Sequence, residues 1–114
     1  FPEFVRARAN LIARASQFTA DIEGYVFDGA DGGQVAFWTA RADRTSSEHV
    51  HEFDEYILVV EGRCTVITGD VRTQLRAGDE LVVPRGTTQR MEVEAGSRTV
   101  HVFGGKRAYR VGEI

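Results

Sequence analysis

Apolar and polar positions alternate along this chain in short bursts, and glycine and aspartate clusters break the bursts apart. Runs rich in Val, Phe, Tyr, Ile and Thr with that punctuation read as β-strands. A series of them with no long amphipathic helix between predicts an all-β sandwich or barrel. From Glu23 onward the chain fits this description. GYVFDGADGG reads as a strand and then a turn, and Gln34 to Arg41 (QVAFWTAR) as a longer strand, followed by ADRTSS as a loop. Next come a strand carrying His49 and His51, a strand from Tyr56 to Val60, and CTVITGDVRTQL. In the last, Gly69-Asp70 predicts a hairpin between Thr65 and Leu75.

The strand Tyr56 to Val60 is apolar on both alternating sets: Ile57 and Val59 on one face, Tyr56, Leu58 and Val60 on the other. A small barrel has a single interior, so the second face is expected to meet another sheet or another subunit, which makes a homodimer the expected assembly. Residues 1–20 are less regular. Phe4, Leu11, Ile12 and Ala15 partly fit a helical stripe, and the tract equally fits an extended arm along another subunit. The organisation expected is an N-terminal arm or short helix over 1–20 and one barrel domain over 21–114.

At 114 residues the chain is long enough to bury one core and needs no second domain. Its formal charge, 14 basic against 17 acidic residues, is -3, and no basic run interleaved with aromatics offers a nucleic-acid surface. No apolar run reaches the length of a membrane span and no signal peptide is evident, so a cytoplasmic protein acting on a small molecule is expected. Cys64, the single cysteine, excludes an internal disulfide and a multi-cysteine zinc site; it reads as a small buried hydrophobe.

The stretch SEHVHEFDEYILVVEG (47–62) carries the chemistry. Side chains two apart on an extended strand share a face, so His49 and His51 can aim at one point. After a bend at Glu52 to Asp54, a second strand can bring Glu55 back to that point as an oxygen ligand. Two nitrogens and a carboxylate on one side of a metal leave its other positions open, an arrangement suited to non-heme iron and to other divalent metals. Gly62 completes the spacing H-x-H-x3-E-x6-G.

A second motif, GDELVVPRG (78–86), has the spacing G-x5-P-x-G, a short apolar strand between turns. Together the two motifs resemble the pair that marks the cupin family, and the ending RTVHVFGGKRAYR and the stretch EGYVFDGADGGQVAFWT resemble small single-domain bacterial cupins. The resemblance implies a double-stranded β-helix, or jelly-roll barrel, with a metal inside near one mouth. The family's second motif normally places a histidine where this chain has Gln89. Alternation turns Gln89, Met91 and Val93 to one face, so Gln89 is expected inside, either as a weaker oxygen ligand to the metal or as a hydrogen-bond partner of a ligand or metal-bound water. His101, in TVHVF, is the rival fourth ligand. It faces inward if Val100 and Val102 belong to a second apolar layer, and outward if those valines are core.

Metal candidates are thus His49, His51, Glu55, Gln89 and His101, with iron, manganese, nickel or zinc as the ion. Trp38 and Phe37 read as core and Arg98 as a solvated surface group. Two functions are expected from this set: a metalloenzyme with dioxygenase-like or isomerase- or lyase-like chemistry on a small organic substrate, or a non-catalytic cupin that binds a sugar or other small molecule.

Overall fold

In the computed structural model, which describes residues 1–18 and 20–113, the alternation of the sequence becomes the inside and outside of a barrel. Thr19, within the expected arm, and Ile114, at the end of the expected barrel domain, lie outside the described residues. The strand Gln34–Ala40 shows the rule most clearly: Gln34, Ala36, Trp38 and Ala40 are buried, and the residues between them are only half-buried.

Nine strands are described: β1 (Ile22–Asp28), β2 (Gln34–Ala40), β3 (Arg44–Thr45), β4 (Glu55–Glu61), β5 (Arg63–Thr68), β6 (Val71–Arg76), β7 (Glu80–Val83), β8 (Arg90–Val93) and β9 (Arg98–Phe103). They form two antiparallel sheets, ordered β1-β2-β9-β4-β7 and β3-β8-β5-β6. From β2 onward the chain passes back and forth between the sheets, which is the winding of the expected jelly roll. The β5–β6 hairpin turns at Gly69-Asp70 as its sequence requires, with Gly69 at φ 62° in the first central position.

One end of the barrel is filled by Ile57, Val59, Cys64, Val66, Leu75 and Val83; the other holds Ile12, Val26, Ala36, Trp38, Phe103 and Ala108. Each fully enclosed aliphatic side chain contributes about 1.5–3 kcal/mol. The glycine that ends the first motif is fixed by this packing. Gly62 turns between β4 and β5 at φ 84°, and a Cβ there would lie 2.7 Å from Ser97 Cα. Only glycine fits.

On the outer face of β4, Tyr56 and Leu58 are only half-buried and Val60 is exposed; among the described residues no second sheet covers them, so of the two expected coverings only another subunit is left. Strand register extends this face into a ladder across the whole five-stranded sheet, Phe27–Val35–Val102–Tyr56–Val82. Val82 is 59 % exposed and Val102 40 %.

The N-terminal segment forms no helical stripe. Two short 3-10 turns, Arg8–Asn10 and Arg14–Ser16, flank an extended pair, Leu11 and Ile12. Ile12 is buried, but Phe4 and Ala15 point to solvent. Helix is excluded because the backbone donors here are taken elsewhere: Ile12 N–H by Gly24 O (2.8 Å) and Ala13 N–H by Tyr109 O (2.8 Å). The arm therefore lies along its own barrel, between β1 and the C-terminal tail.

That tail is anchored by Gln34. Its Oε1 accepts from the backbone of Arg107 and Ala108, both at 2.8 Å, and its Nε2 donates to Ala108 O (3.0 Å) and Asp28 Oδ1 (2.9 Å). A buried amide with every polar atom partnered is a firm clamp. Among the described residues no helix is long and apolar enough to cross a membrane.

A candidate metal centre in an apolar cavity

His49 and His51 sit on an extended segment between β3 and β4 that makes one ladder bridge rather than a regular strand. His49 exchanges both backbone hydrogen bonds with Gln89 at 2.8 Å, and Gly86 N–H donates to His51 O at 2.9 Å. Alternation still holds: Val50 points to solvent between two half-buried histidines. The second motif thereby supplies the rail on which the first is laid.

Each histidine is also held by its ring. His49 Nδ1 donates to Ser47 O (2.8 Å), which leaves the lone pair on Nε2. His51 stacks on Phe53 with ring centroids 5.0 Å apart, and its Nε2 lies 3.6 Å from Glu55 Oε1. One ligand atom from each of His49, His51 and Glu55 lies within 4.8 Å of the others. Zinc and similar ions sit about 2.0–2.2 Å from such donors, so two donors on one ion are up to about 4.4 Å apart. The group needs only a small contraction to close on a shared ion, and its donor set suits one.

Glu55 opens β4 and is 4 % exposed. Burial raises its carboxyl, but hydrogen bonds from His101 Nδ1 to Oε2 (2.7 Å) and from Gln89 Nε2 to Oε1 (2.9 Å), with the nearby imidazoles, hold it below the usual carboxylate range. The acid is thus kept anionic in a place where water alone would not keep it so. His51 is pushed below the ordinary histidine value, first by burial and also by His49, Arg107 and His101, against the pull of Glu55. A neutral imidazole is the form that binds metal.

Gln89 and His101 both point inward, at 4 % and 5 % exposure. His101 spends both ring nitrogens on protein: Nδ1 on Glu55, and Nε2 at 3.0 Å from Thr99 Oγ1. It stands outside the group of three and fixes the carboxylate that belongs to it. Gln89 does likewise through its amide nitrogen.

These residues open onto a cavity of about 70 Å³, whose apolar walls include Ile22, Trp38, Met91 and Val93. Trp38, expected as core, is buried and also walls the cavity; its indole covers the face of Gly24, where a Cβ would meet Trp38 Cδ1 at 2.6 Å. Phe37 lies on the opposite face of β2 and packs against Phe1. Arg98 is partnered by Glu61 at 2.7 Å and lies over the Phe1 ring.

Sequence patterning missed two further members of the wall. Phe18, from the arm, stacks on His49 at 4.2 Å, and Arg107, from the tail, lies over Phe18 (4.4 Å) and Trp38 (5.2 Å). Burial lowers the Arg107 pKa to about 10, with Glu55 opposing, so it remains a cation at neutral pH. Neither residue lies in a periodic strand, so alternation has no hold on them.

Comparison with known proteins agrees with this architecture. A family model described as "Cupin domain" matches residues 36–111. Among solved structures, a cupin superfamily protein from Desulfitobacterium hafniense DCB-2 superposes with a TM-score of 0.70 at 15 % identity, covering 76 % of this chain and 80 % of that one. KdgF from Halomonas sp. gives 0.69 at 19 % identity, covering 84 % and 93 %. An RmlC-like cupin from Shewanella frigidimarina NCIMB 400 gives 0.70 at 16 %, covering 86 % and 96 %. At such identities the likeness establishes the fold alone. Comparison with curated proteins finds no match.

Proposed function

This chain belongs to the cupin family, and from that premise we propose that it is a metalloenzyme that binds a divalent ion through His49, His51 and Glu55 and acts on a small organic molecule in the adjoining cavity. The observation that carries this reading is the convergence of two imidazoles and a buried, anionic carboxylate at the edge of an apolar pocket. Burying an ionised carboxylate is costly unless it is paired, and an ion shared with the two imidazoles would add its charge to the hydrogen bonds that His101 and Gln89 already give.

A divalent ion held there supplies Lewis acidity, or oxygen activation if it is iron. The protein's part is positional. His101 and Gln89 hold the two oxygens of Glu55, Ser47 sets the tautomer of His49, and Phe53 orients His51. Gln89, on the cavity wall, is the fourth candidate ligand through its carbonyl oxygen, and His101 could ligate through Nε2 only by giving up Thr99. Ile22, Met91 and Val93 exclude water from the bound molecule.

A second reading, a non-catalytic cupin that captures a small molecule or sugar, has one observation in its favour. Glu55 is the only carboxylate among the described residues lining the cavity, and it is fully engaged, so no acid is free to move a proton. Oxygen uptake dependent on iron(II) separates an oxygenase from the binding protein; isomerase or lyase chemistry shows as turnover without oxygen.

The decisive experiment is the elemental content of the purified protein by plasma mass spectrometry, beside His49→Ala. Near-stoichiometric iron, manganese, nickel or zinc, lost in the variant, is expected. No metal after reconstitution under reducing conditions overturns the proposal.

The uncovered ladder from Phe27 to Val82 supports a homodimer in which two copies pair these faces. A sedimentation mass equal to the monomer at working concentration dismisses it.

A further inference from the structure

Among the described residues lining the cavity, Arg107 is the only cation of the Lys or Arg type. Its guanidinium is clasped between the Phe18 and Trp38 rings and donates to Ser16 O. Among the described residues no carboxylate forms an ion pair with it, although the chain's other arginine–carboxylate pairs are plentiful, from Arg41–Glu23 to Arg110–Asp28. A guanidinium presents five N–H donors in a planar fork, and one acceptor leaves the fork largely unused.

Gln34 makes this placement deliberate rather than incidental. By binding the backbone of Arg107 and Ala108 it fixes the root of the side chain, and the two aromatic faces fix its head. A long cation held at both ends within an apolar pocket is preorganised for an anion. Charge balance points the same way. Arg107 and Glu55 offset each other, so a held dication leaves the cavity with two uncompensated positive charges.

We infer that the ligand of this cavity is a small organic carboxylate, bound bidentately by the Arg107 fork with its hydrocarbon part against Ile22, Met91 and Val93. The inference deepens the metal-centre reading and rests on it only for the ion's share of the charge. The cavity volume restricts the ligand to a few non-hydrogen atoms within the walls.

The test is isothermal titration of malonate, and of neutral malonamide as its isostere, into wild type, Arg107→Met and Arg107→Lys, each metal-free and zinc-loaded. Methionine keeps an apolar stem between Phe18 and Trp38 and removes the charge; lysine keeps the charge and loses the fork. Wild type is expected to prefer malonate by about tenfold or more, the effect of one charge-assisted hydrogen bond. Arg107→Met should lose that preference in the metal-free protein and only part of it in the zinc-loaded one, where the ion still attracts a dianion, while zinc affinity and thermal midpoint stay near wild type, and Arg107→Lys should keep only part of it in the metal-free form. Wild type that binds both compounds alike, or a folded Arg107→Met or Arg107→Lys that keeps the full preference, overturns the inference. Wild type that takes up neither zinc nor iron, manganese or nickel sinks the metal reading instead, and the metal-free titrations still decide the role of Arg107.

Discussion

His101 Nδ1 lies 2.7 Å from Glu55 Oε2, a charge-assisted contact between two residues that are each at most 5 % exposed. Because a carboxylate only accepts, the imidazole must keep a proton on that nitrogen. Removing the partner in His101→Ala leaves a buried charge short of a donor, at a cost of about 1–3 kcal/mol in denaturant unfolding. Loss of such a partner typically weakens metal binding about 10–100-fold, which metal titration of the same variant measures.

The same carboxylate sets an acid limb. Its folded pKa is held below the unfolded value, so its contribution to stability is complete above the unfolded value, about 4.3, and is lost as pH falls through the folded one. Glu55→Gln should flatten that part of a plot of unfolding free energy against pH for the metal-free protein. An unchanged slope would mean that Glu55 titrates alike in both states.

Cys64 sets an alkaline limb of opposite sense. Burial raises its thiol from 9.0 to about 12, so stability is unaffected below pH 9 and falls as pH rises from there toward 12. The slope is roughly 1.4 kcal/mol per pH unit. Cys64→Ala should remove this slope while lowering the plateau through the small cavity it leaves, and the wild-type thiol should resist aromatic disulfide reagents until the chain unfolds.

Gln34→Leu conserves volume but strands the backbone groups of Arg107 and Ala108, whereas the exposed carboxylate of Asp28 keeps Arg110. A loss of about 3 kcal/mol is expected from several unmet buried groups. Amide exchange should rise first in the tail around Ala108, and Trp38 fluorescence should shift as Arg107 moves from its face. A tail that stays protected would show that Gln34 is not the clamp.

Gly62→Ala combines a left-handed backbone with a clash against Ser97 Cα. The conformational penalty alone is roughly 1–2 kcal/mol, so a clear fall in thermal midpoint is expected. The turn glycine Gly69, at φ 62° with open space around it, should tolerate alanine better.

Much of this could be read from the chain because the relevant interactions are local. Alternation in β2 and β4 and the turn at Gly69-Asp70 depend on neighbours a few residues apart, and so does the spacing that gathers His49, His51 and Glu55. His101 was ambiguous for a physical reason. Val100 and Val102 are apolar yet face outward, toward Phe37, Leu58, Val35 and Tyr56, while the inner face carries Thr99 and His101 beside Phe103, so polarity along β9 does not name the inner face. Phe18 and Arg107 reach the cavity only because the arm and tail pair with each other and with β1, contacts between opposite ends of the chain that leave no periodic trace.

Gly24 carries no charge, donor or nucleophile and faces no ligand, yet it decides where Trp38 lies, and Trp38 is at once a cavity wall and a seat for Arg107. Even a methyl group at this position would have to displace the indole or Ile12. A saturation-mutagenesis map of this protein would place a functional hotspot on the neighbouring strand, in register with Trp38, at a residue whose side chain has no chemistry of its own.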